Sequence, residues 1–285
     1  MRSFGCAILL GTLVFAAAVA QGQDKAAPRV PPTFPGASSV LWVGAHPDDE
    51  VLAAPLLARL CLDEGLRCSF LVLTRGEKGP CLLPGGCRPD LAAVRSAEMA
   101  GAARLFGADL ILWSLPDAGS GQDGSAGTWD AASGSHAALV ASVRKVLSRT
   151  RPDVVLTFDP RHGSTCHLDH RAAGSLVLEA VSRVEKRPAV YLLETRLVLT
   201  SAPVTVRFQP AALARDGVFA FDGNAPLAST ARPAWEMTNR DVLIHASQFD
   251  APLRRAIRRV PSAQRAVFLG PADLLLSAAD VWTCP

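Results

Sequence analysis

The alternation of short apolar runs with longer helical patterns is what most constrains the fold of this chain. The apolar runs predict strands at 39–45, 68–74, 109–113, 153–158 and 189–195. Helical patterns fall between them, at about 50–65, 90–107, 135–150 and 170–184. Shorter apolar runs between 200 and 222 predict extra strands or a flap. Such alternation predicts an α/β fold, a Rossmann-like and mostly parallel sheet with helices on both faces.

The N-terminal segment is typical of an export signal. Arg2 gives a basic start, residues 6–19 are small and apolar, and Ala18-Val19-Ala20 resembles a cleavage site, so residues 1–20 are predicted to be a signal peptide. The proline-rich residues 21–37 predict a flexible linker, which leaves 38–285 as one domain. We therefore expect an exported protein, periplasmic or extracellular, without stable membrane insertion after cleavage. An uncleaved anchor is the alternative.

The charge balance and the cysteines bear on partners and compartment. The 29 basic and 26 acidic residues leave a net charge of +3, which gives no electrostatic reason to expect nucleic acid as a partner. Six of the seven cysteines follow the predicted cleavage site, an even number that suits an oxidising compartment. Cys81 and Cys87 enclose a Pro/Gly-rich loop and are the best candidates for a disulfide. Nothing in the sequence indicates an oligomeric state.

A cluster of metal-ligating residue types follows the first predicted strand. The segment Ala45-His46-Pro47-Asp48-Asp49-Glu50 puts one imidazole and three carboxylates on a single turn. His46 and Asp49 could close on one divalent metal, while Asp48 would remain free as a base. Alternatively, the carboxylates simply begin a helix, because an acidic first turn satisfies free N–H groups and suits the helix dipole.

A second cluster, His167-Leu168-Asp169-His170, follows another predicted strand. A catalytic zinc typically takes three protein ligands and leaves a fourth position to water, so one of these histidines would complete a set with His46 and Asp49. Because the carboxyl ends of parallel strands share one edge of a sheet, the two clusters are expected to meet. Asp169 could instead cap the following helix.

The order of these motifs resembles that of the metal-dependent N-deacetylases that include N-acetylglucosaminyl-phosphatidylinositol de-N-acetylase (PIG-L) and the bacterial LmbE-like proteins. The resemblance covers roughly residues 39–255, and it adds to the two clusters the segments Thr74-Arg75-Gly76-Glu77-Lys78-Gly79, Arg95-x-x-Glu98, Leu105-Phe106-Gly107, Leu115-Pro116-Asp117 and His245-Ala246-Ser247-Gln248. It implies an LmbE-like deacetylase domain that hydrolyses the N-acetyl group of an acetamido sugar or glycan, such as an N-acetylglucosaminide, to acetate and a free amine.

The residues and the resemblance together predict a mechanism. His46, Asp49 and His170 would hold one Zn²⁺ per chain, or another divalent metal, and lower the pKa of a bound water towards about 7. The choice of His170 over His167 as the ligand comes from the resemblance. Asp48 would act as general base and later carry the proton to the leaving amine. His167, oriented by Asp169, would stabilise the oxyanion as a charged donor.

Polar residues at other strand ends are candidates for binding the sugar. Glu77 and Asp117 could bind hydroxyl groups, although either could instead fix a turn, and Arg88 could reach a negatively charged aglycone. Some members of the family place a tyrosine just before the second cluster. This chain has Ser164-Thr165-Cys166 there and Tyr191 as its single tyrosine, which puts a phenolic contribution to the oxyanion site in doubt.

Other function classes fit the sequence less well. A non-catalytic, metal-stabilised sugar-binding protein of the envelope is the main alternative, and the presence of Asp48 argues against it. Phosphoester hydrolysis usually needs two metals and more ligands than these clusters provide. A serine hydrolase would need a Gly-x-Ser-x-Gly elbow, which the sequence lacks.

Overall fold

The strands of the computed structural model follow the predicted pattern closely. The structure describes residues 32–119, 125–194, 205–210 and 219–259. Its strands are β1 (Ser39–Gly44), β2 (Arg67–Thr74), β3 (Asp109–Leu115), β4 (Val154–Phe158), β5 (Ala189–Glu194), β6 (Thr205–Pro210) and β7 (Phe219–Asp222). The first five match the predicted strands, and β6 and β7 lie in the region where extra strands were expected.

The sheet has the order β3-β2-β1-β4-β5-β6-β7. The first five strands are parallel, whereas β6 and β7 add to the β5 edge in antiparallel pairs. From β1 the chain moves outward through β2 and β3, and it then returns to place β4 on the other side of β1. The carboxyl ends of β1 and β4 lie side by side at this reversal, which is where open α/β sheets bind ligands.

Helices cover both faces, which confirms the predicted α/β fold. They are α1 (Ala54–Ala58), α2 (Leu91–Phe106), α3 (Ser125–Ala132), α4 (His136–Thr150), α5 (Gly163–Cys166), α6 (Leu168–Ser182), α7 (Glu236–Ile244) and α8 (Ala251–Arg259). On one face, Trp42 and Phe70 pack with α1 and α2. On the other face, Leu41 and Val155 pack with α4 and α6. Alternate residues of each strand therefore enter two separate cores.

The helix predicted for 50–65 is broken into three short segments. A 3-10 helix covers Asp49–Leu52, α1 follows, and a π-helical turn covers Arg59–Asp63. The break has a local cause, because Pro55 lacks an N–H group and its ring would clash with the carbonyl four residues earlier in a continuous helix. Pro55 instead occupies the first turn of α1, where a proline is tolerated.

Two disulfides close short loops in the segments that flank β2. Cys81 pairs with Cys87, as predicted, and Cys61 pairs with Cys68. Cys166 is also disulfide-bonded. Among the described residues no helix is both long and apolar enough to cross a membrane.

The described part of the chain begins at residue 32, so the predicted signal peptide and most of the predicted linker lie outside it. Phe34, near the end of that predicted linker, is buried and packs against Tyr191 with ring centroids 4.8 Å apart.

Candidate active site

The loops after β1, β2, β3 and β4 meet at one edge of the sheet and enclose a cavity of about 380 Å³. Both predicted metal clusters reach it. The residues that line the cavity are His46, Asp48, Asp49, Val51, Leu52, Lys78, Gly79, Pro80, Arg95, Asp117, Gly119, His167, His170, Gln248 and Phe249. Side chains that are more than a hundred residues apart in sequence are thus brought together by the parallel strand order.

Three atoms from the two clusters face one another. His46 Nδ1 lies 3.3 Å from His170 Nε2, Asp49 Oδ1 lies 3.0 Å from His170 Nε2, and Asp49 Oδ1 lies 3.8 Å from His46 Nδ1. Ligands bonded at about 2.0–2.2 Å to one tetrahedral metal are separated by similar distances. The sequence-predicted ligands His46, Asp49 and His170 are therefore gathered at one point.

The opposite atom of each of these side chains is already bound by the protein. Asp49 Oδ2 accepts hydrogen bonds from the backbone N–H groups of Ala45 at 2.7 Å and His46 at 2.8 Å. His170 Nδ1 lies 2.7 Å from the carbonyl oxygen of Gly163, which places a proton on that nitrogen. Each side chain is thus turned so that one lone pair points at the shared position.

Packing against β4 fixes the orientation of His170. Its ring stacks on Phe158 with centroids 4.1 Å apart and planes only 4° from parallel. Helix α6, which carries His170, lies close to the strand because Gly174 faces the Phe158 carbonyl, where a Cβ atom would overlap the backbone. The end of β4 and the start of α6 therefore position this histidine as a rigid unit.

The electrostatics of the three side chains fit a cation. Two imidazole lone pairs and a carboxylate oxygen that face one another would repel unless a proton or a metal ion lies among them. Burial would lower the pKa of His46, but the Asp117, Asp169 and Asp49 carboxylates outweigh it and raise that pKa well above its usual value. The donor set thus carries excess negative charge that a divalent ion would neutralise.

Asp48 is placed apart from these three ligands. Its carboxylate lines the cavity, and Oδ1 accepts a hydrogen bond of 3.0 Å from Arg95 Nη2. Its backbone lies in the left-handed region, with φ of 100°, and its side chain makes no capping bond to the following turn. Burial, aided by Asp49 and opposed by Arg95, raises the pKa of Asp48 to about 6. The alternative that this carboxylate merely caps a helix is therefore not what the structure shows.

Asp169 and His167 are arranged differently from the prediction. Asp169 was expected to orient His167, yet Asp169 Oδ2 lies 3.0 Å from His46 Nε2. The backbone N–H of Asp169 instead donates to His167 Nδ1 at 3.2 Å. Burial, and then His170 and His46, lower the pKa of His167 to about 4, which favours an uncharged ring where the sequence predicted a charged donor. The sequence pattern could not reveal this, since His46 lies on a different strand end.

Of the three predicted sugar-binding residues, only Asp117 lines the cavity. Asp117 is buried and lines the cavity, but its carboxylate accepts from the backbone N–H groups of Lys78 and Gly119. Glu77 is exposed, and its carboxylate turns to the backbone N–H of Asp117, so it fixes the loop and does not line the cavity. Arg88 follows the Cys81–Cys87 loop, is exposed, and is also not among the residues that line the cavity. Sugar contacts from Glu77 and Arg88 are therefore not supported.

Sequence reasoning assigned no role to several residues that matter here. Arg95 holds Asp48, and Lys78 and Gln248 line the cavity. All three belong to segments that carried the resemblance, which was the available signal. Glu50 was expected to be only part of a helix's first turn, but it is fully buried and lies 2.6 Å from His245 Nε2. Tyr191 packs against Phe34 and is not among the residues that line the cavity.

Comparison with known families agrees with this geometry. The model of the family described as PIG-L, GlcNAc-PI de-N-acetylase, matches residues 41–181, which include both metal clusters. Residues 41–181 form a domain of the PIG-L family. Deacetylases of the PIG-L family depend on a metal ion, which accords with the convergence of His46, Asp49 and His170.

Relatives that contain this PIG-L domain are similar to the chain over about half of their length. A 1D-myo-inositol 2-acetamido-2-deoxy-alpha-D-glucopyranoside deacetylase of Rhodococcus opacus is 33% identical over 155 residues, which cover 50% of this chain and 52% of that protein. A protein of the same name from Segniliparus rotundus is 35% identical over 162 residues, which cover 50% and 49%. The chain thus spans about half the length of the curated relatives it matches.

Solved structures agree on the PIG-L fold. The N,N'-diacetylchitobiose deacetylase of Pyrococcus horikoshii superposes with a TM-score of 0.53 over 78% of this chain and 76% of that one, at 19% sequence identity. At this level of identity the likeness establishes the fold alone. The reaction depends on the residues of the site and does not follow from the fold.

Proposed function

We propose that this chain is a metal-dependent N-deacetylase that hydrolyses the N-acetyl group of an acetamido sugar. The observation that carries the proposal is the convergence of His46 Nδ1, Asp49 Oδ1 and His170 Nε2, with the carboxylate of Asp48 beside them in an open cavity. Three protein ligands with space for water are typical of a catalytic metal centre. The names of the family and of its relatives supply the substrate class.

We propose zinc as the metal, with one ion held in the cavity. Two imidazole nitrogens and one carboxylate oxygen are a donor set that catalytic zinc commonly uses. Zinc at this position would supply a Lewis acid that polarises the acetyl carbonyl and makes a water molecule more acidic. The protein's own contribution is to hold the ligands, through the Asp169 contact with His46 and the Gly163 carbonyl beside His170.

Asp48 is the proposed general base. A carboxylate with a pKa of about 6 is mostly ionised at neutral pH and still basic enough to accept a proton from water. Its side chain is 22% exposed to the cavity, so water and substrate can reach it. The same group can afterwards deliver the proton to the leaving amine, because the two steps follow one another.

His167 is the proposed donor to the carbonyl oxygen of the acetyl group. Its Nδ1 accepts the backbone N–H of Asp169, so the neutral ring carries its proton on Nε2. A neutral imidazole can donate this hydrogen bond to an oxygen that becomes negatively charged in the transition state. The role predicted for His167 is thus kept, with an uncharged donor in place of a charged one.

We further propose export to the periplasm or the extracellular space. The sequence of residues 1–20 supports it, as do the disulfides Cys61–Cys68 and Cys81–Cys87, which persist in oxidising compartments. Substrates outside the cytoplasm follow from that location, so N-acetylglucosamine units of envelope or extracellular glycans are the proposed substrate class.

Acetate release from a panel of N-acetylglucosaminides with different aglycones tests the proposal. We expect the zinc-loaded protein to release acetate and Asp48→Asn to lower kcat by about 10²-fold or more while keeping the metal. Asp109→Asn is a matched control, because this exposed carboxylate begins β3 at the opposite edge of the sheet. If the wild-type protein holds zinc and binds sugars but hydrolyses none of the panel, the sugar-binding alternative is correct.

A further inference from the structure

A second group of metal-ligating side chains lies outside the cavity. Glu50 follows the ligand Asp49 directly, Asp241 lies on α7, and His245 comes one turn later, just after that helix. All three side chains are fully buried, with an exposure of 0%. None of them lines the cavity. The group joins the turn after β1 to α7.

The hydrogen bonds of this group are incomplete. Glu50 Oε1 lies 2.6 Å from His245 Nε2, and Asp241 Oδ1 lies 3.7 Å from the same nitrogen. Within the described residues, Glu50 Oε2, both carboxylate oxygens of Asp241 and His245 Nδ1 have no hydrogen-bond partner. Buried polar atoms are almost always satisfied, so four unsatisfied atoms on three neighbouring side chains indicate that a ligand binds among them.

The charges of the group point to a cation. Two carboxylates share one buried position, and a single imidazole can balance only one of them. A divalent ion would neutralise both carboxylates at once.

We propose that Glu50, Asp241 and His245 bind a second divalent transition-metal ion, buried and structural. Ligand atoms from the three residues all lie within 4.8 Å of one another, separations that one ion bonded at about 2.0–2.4 Å can span. Two carboxylate oxygens and one imidazole nitrogen suit zinc or manganese. The adjacent residues Asp49 and Glu50 would then bind two different ions. The second ion would link the turn after β1, which carries both residues, to α7.

Metal content of the purified full chain, measured by plasma mass spectrometry after equilibrium dialysis against Zn²⁺ or Mn²⁺, tests this proposal. We expect two ions per wild-type chain. The double variant His46→Ala/His170→Ala removes the cavity ligands and should keep one ion, and Asp241→Asn should also keep one. Glu236→Gln, which removes a carboxylate from the same helix α7, is the matched control and should keep two.

A thermal readout separates a structural ion from loosely bound metal. A chelator should lower the Tm of His46→Ala/His170→Ala by several degrees, because a buried ion that binds only the folded state stabilises it. The same chelator should leave Tm unchanged in His46→Ala/His170→Ala/Asp241→Asn. One ion per wild-type chain, and none in His46→Ala/His170→Ala, would overturn the second site while leaving the proposed deacetylase intact.

Discussion

Arg95 Nη2 donates to Asp48 Oδ1 at 3.0 Å and also to the Pro47 carbonyl at 2.5 Å. One buried guanidinium on α2 therefore holds both the backbone and the side chain of the proposed base. The second terminal nitrogen of Arg95, Nη1, donates to the Gly76 carbonyl at 2.9 Å, which links Arg95 to the loop after β2. Arg95 acts on the reaction through Asp48 and is thus a positioning residue.

Substitution Arg95→Lys tests this role. A lysine keeps the charge but cannot reach three oxygens with a planar fork, so Asp48 should lose its fixed orientation. We expect kcat to fall by about 10–100-fold with the cavity metal retained. Arg75→Gln is the control, because Arg75 also contacts α2, through Ser96, but is exposed. An Arg95→Lys enzyme with wild-type kcat would remove Arg95 from the positioning role.

Gly76→Ala tests the position of the Arg95 guanidinium without changing Arg95 itself. Gly76 has φ of +63°, and a Cβ atom there would overlap the Arg95 guanidinium. Gly65→Ala is a close control, since Gly65 has φ of +65° with nothing within 4 Å of its Cβ position. Both variants should lose about 1 kcal/mol of unfolding free energy from the backbone strain. Only Gly76→Ala should also lose activity, and equal activity in the two would contradict the expected displacement of Arg95.

Asp169→Asn tests the contact between Asp169 and His46. Loss of the carboxylate should leave His46 less firmly oriented and less basic, so the affinity of the cavity site for zinc should fall by about 10–100-fold. Competition with a chromogenic chelator measures this directly. Asp130→Asn, a carboxylate near the N-terminus of α4, should leave the affinity unchanged. If Asp169→Asn lowers kcat alone, Asp169 serves the reaction and not the ligand.

His136 gives a pH prediction away from the site. Hydrogen bonds that His136 donates to Glu179 and then to Asp130 raise the pKa of this exposed histidine above its usual value of 6.5. A raised pKa means that its stabilising contribution is complete below pH 6.5 and is lost as pH rises through the folded-state pKa. The effect on unfolding should be small, below about 1 kcal/mol, because the ion pairs are solvent-exposed. NMR titration of His136 should show the raised pKa, and Glu179→Gln should lower it.

Much of the fold was readable because the strands are continuous apolar runs. Residues such as Phe70 and Leu71 alternate between two buried cores, so periodicity alone located β2. The helix after β1 was less readable, since Pro55 divides a pattern that otherwise has helical spacing. A proline within a helical pattern changes where the helices begin and end without changing the order of the helices and strands.

The site was predictable where ligands lie close together in sequence and less so elsewhere. His46 and Asp49 share one turn, whereas the partner of Glu50 is His245, which is 195 residues away. Only the packing of α7 on the turn after β1 brings that pair together. The contact of Asp169 with His46 was not predicted for a similar reason, since it crosses 123 residues. Pairings between distant segments depend on topology, which residue spacing does not encode.

The contact of Glu50, in the turn after β1, with His245 limits how far this protein can be shortened. The family match ends at residue 181, yet Glu50 bonds to His245, and Glu98 of α2 accepts from the backbone and hydroxyl of Ser247. A fragment cut at the end of the match would keep the three proposed ligands of the cavity metal and lose the residues that pack beneath them. Glu50, directly beside Asp49, would then lose both its counter-charge and the helix that covers it. The region that identifies the chemistry is therefore smaller than the region needed to support it.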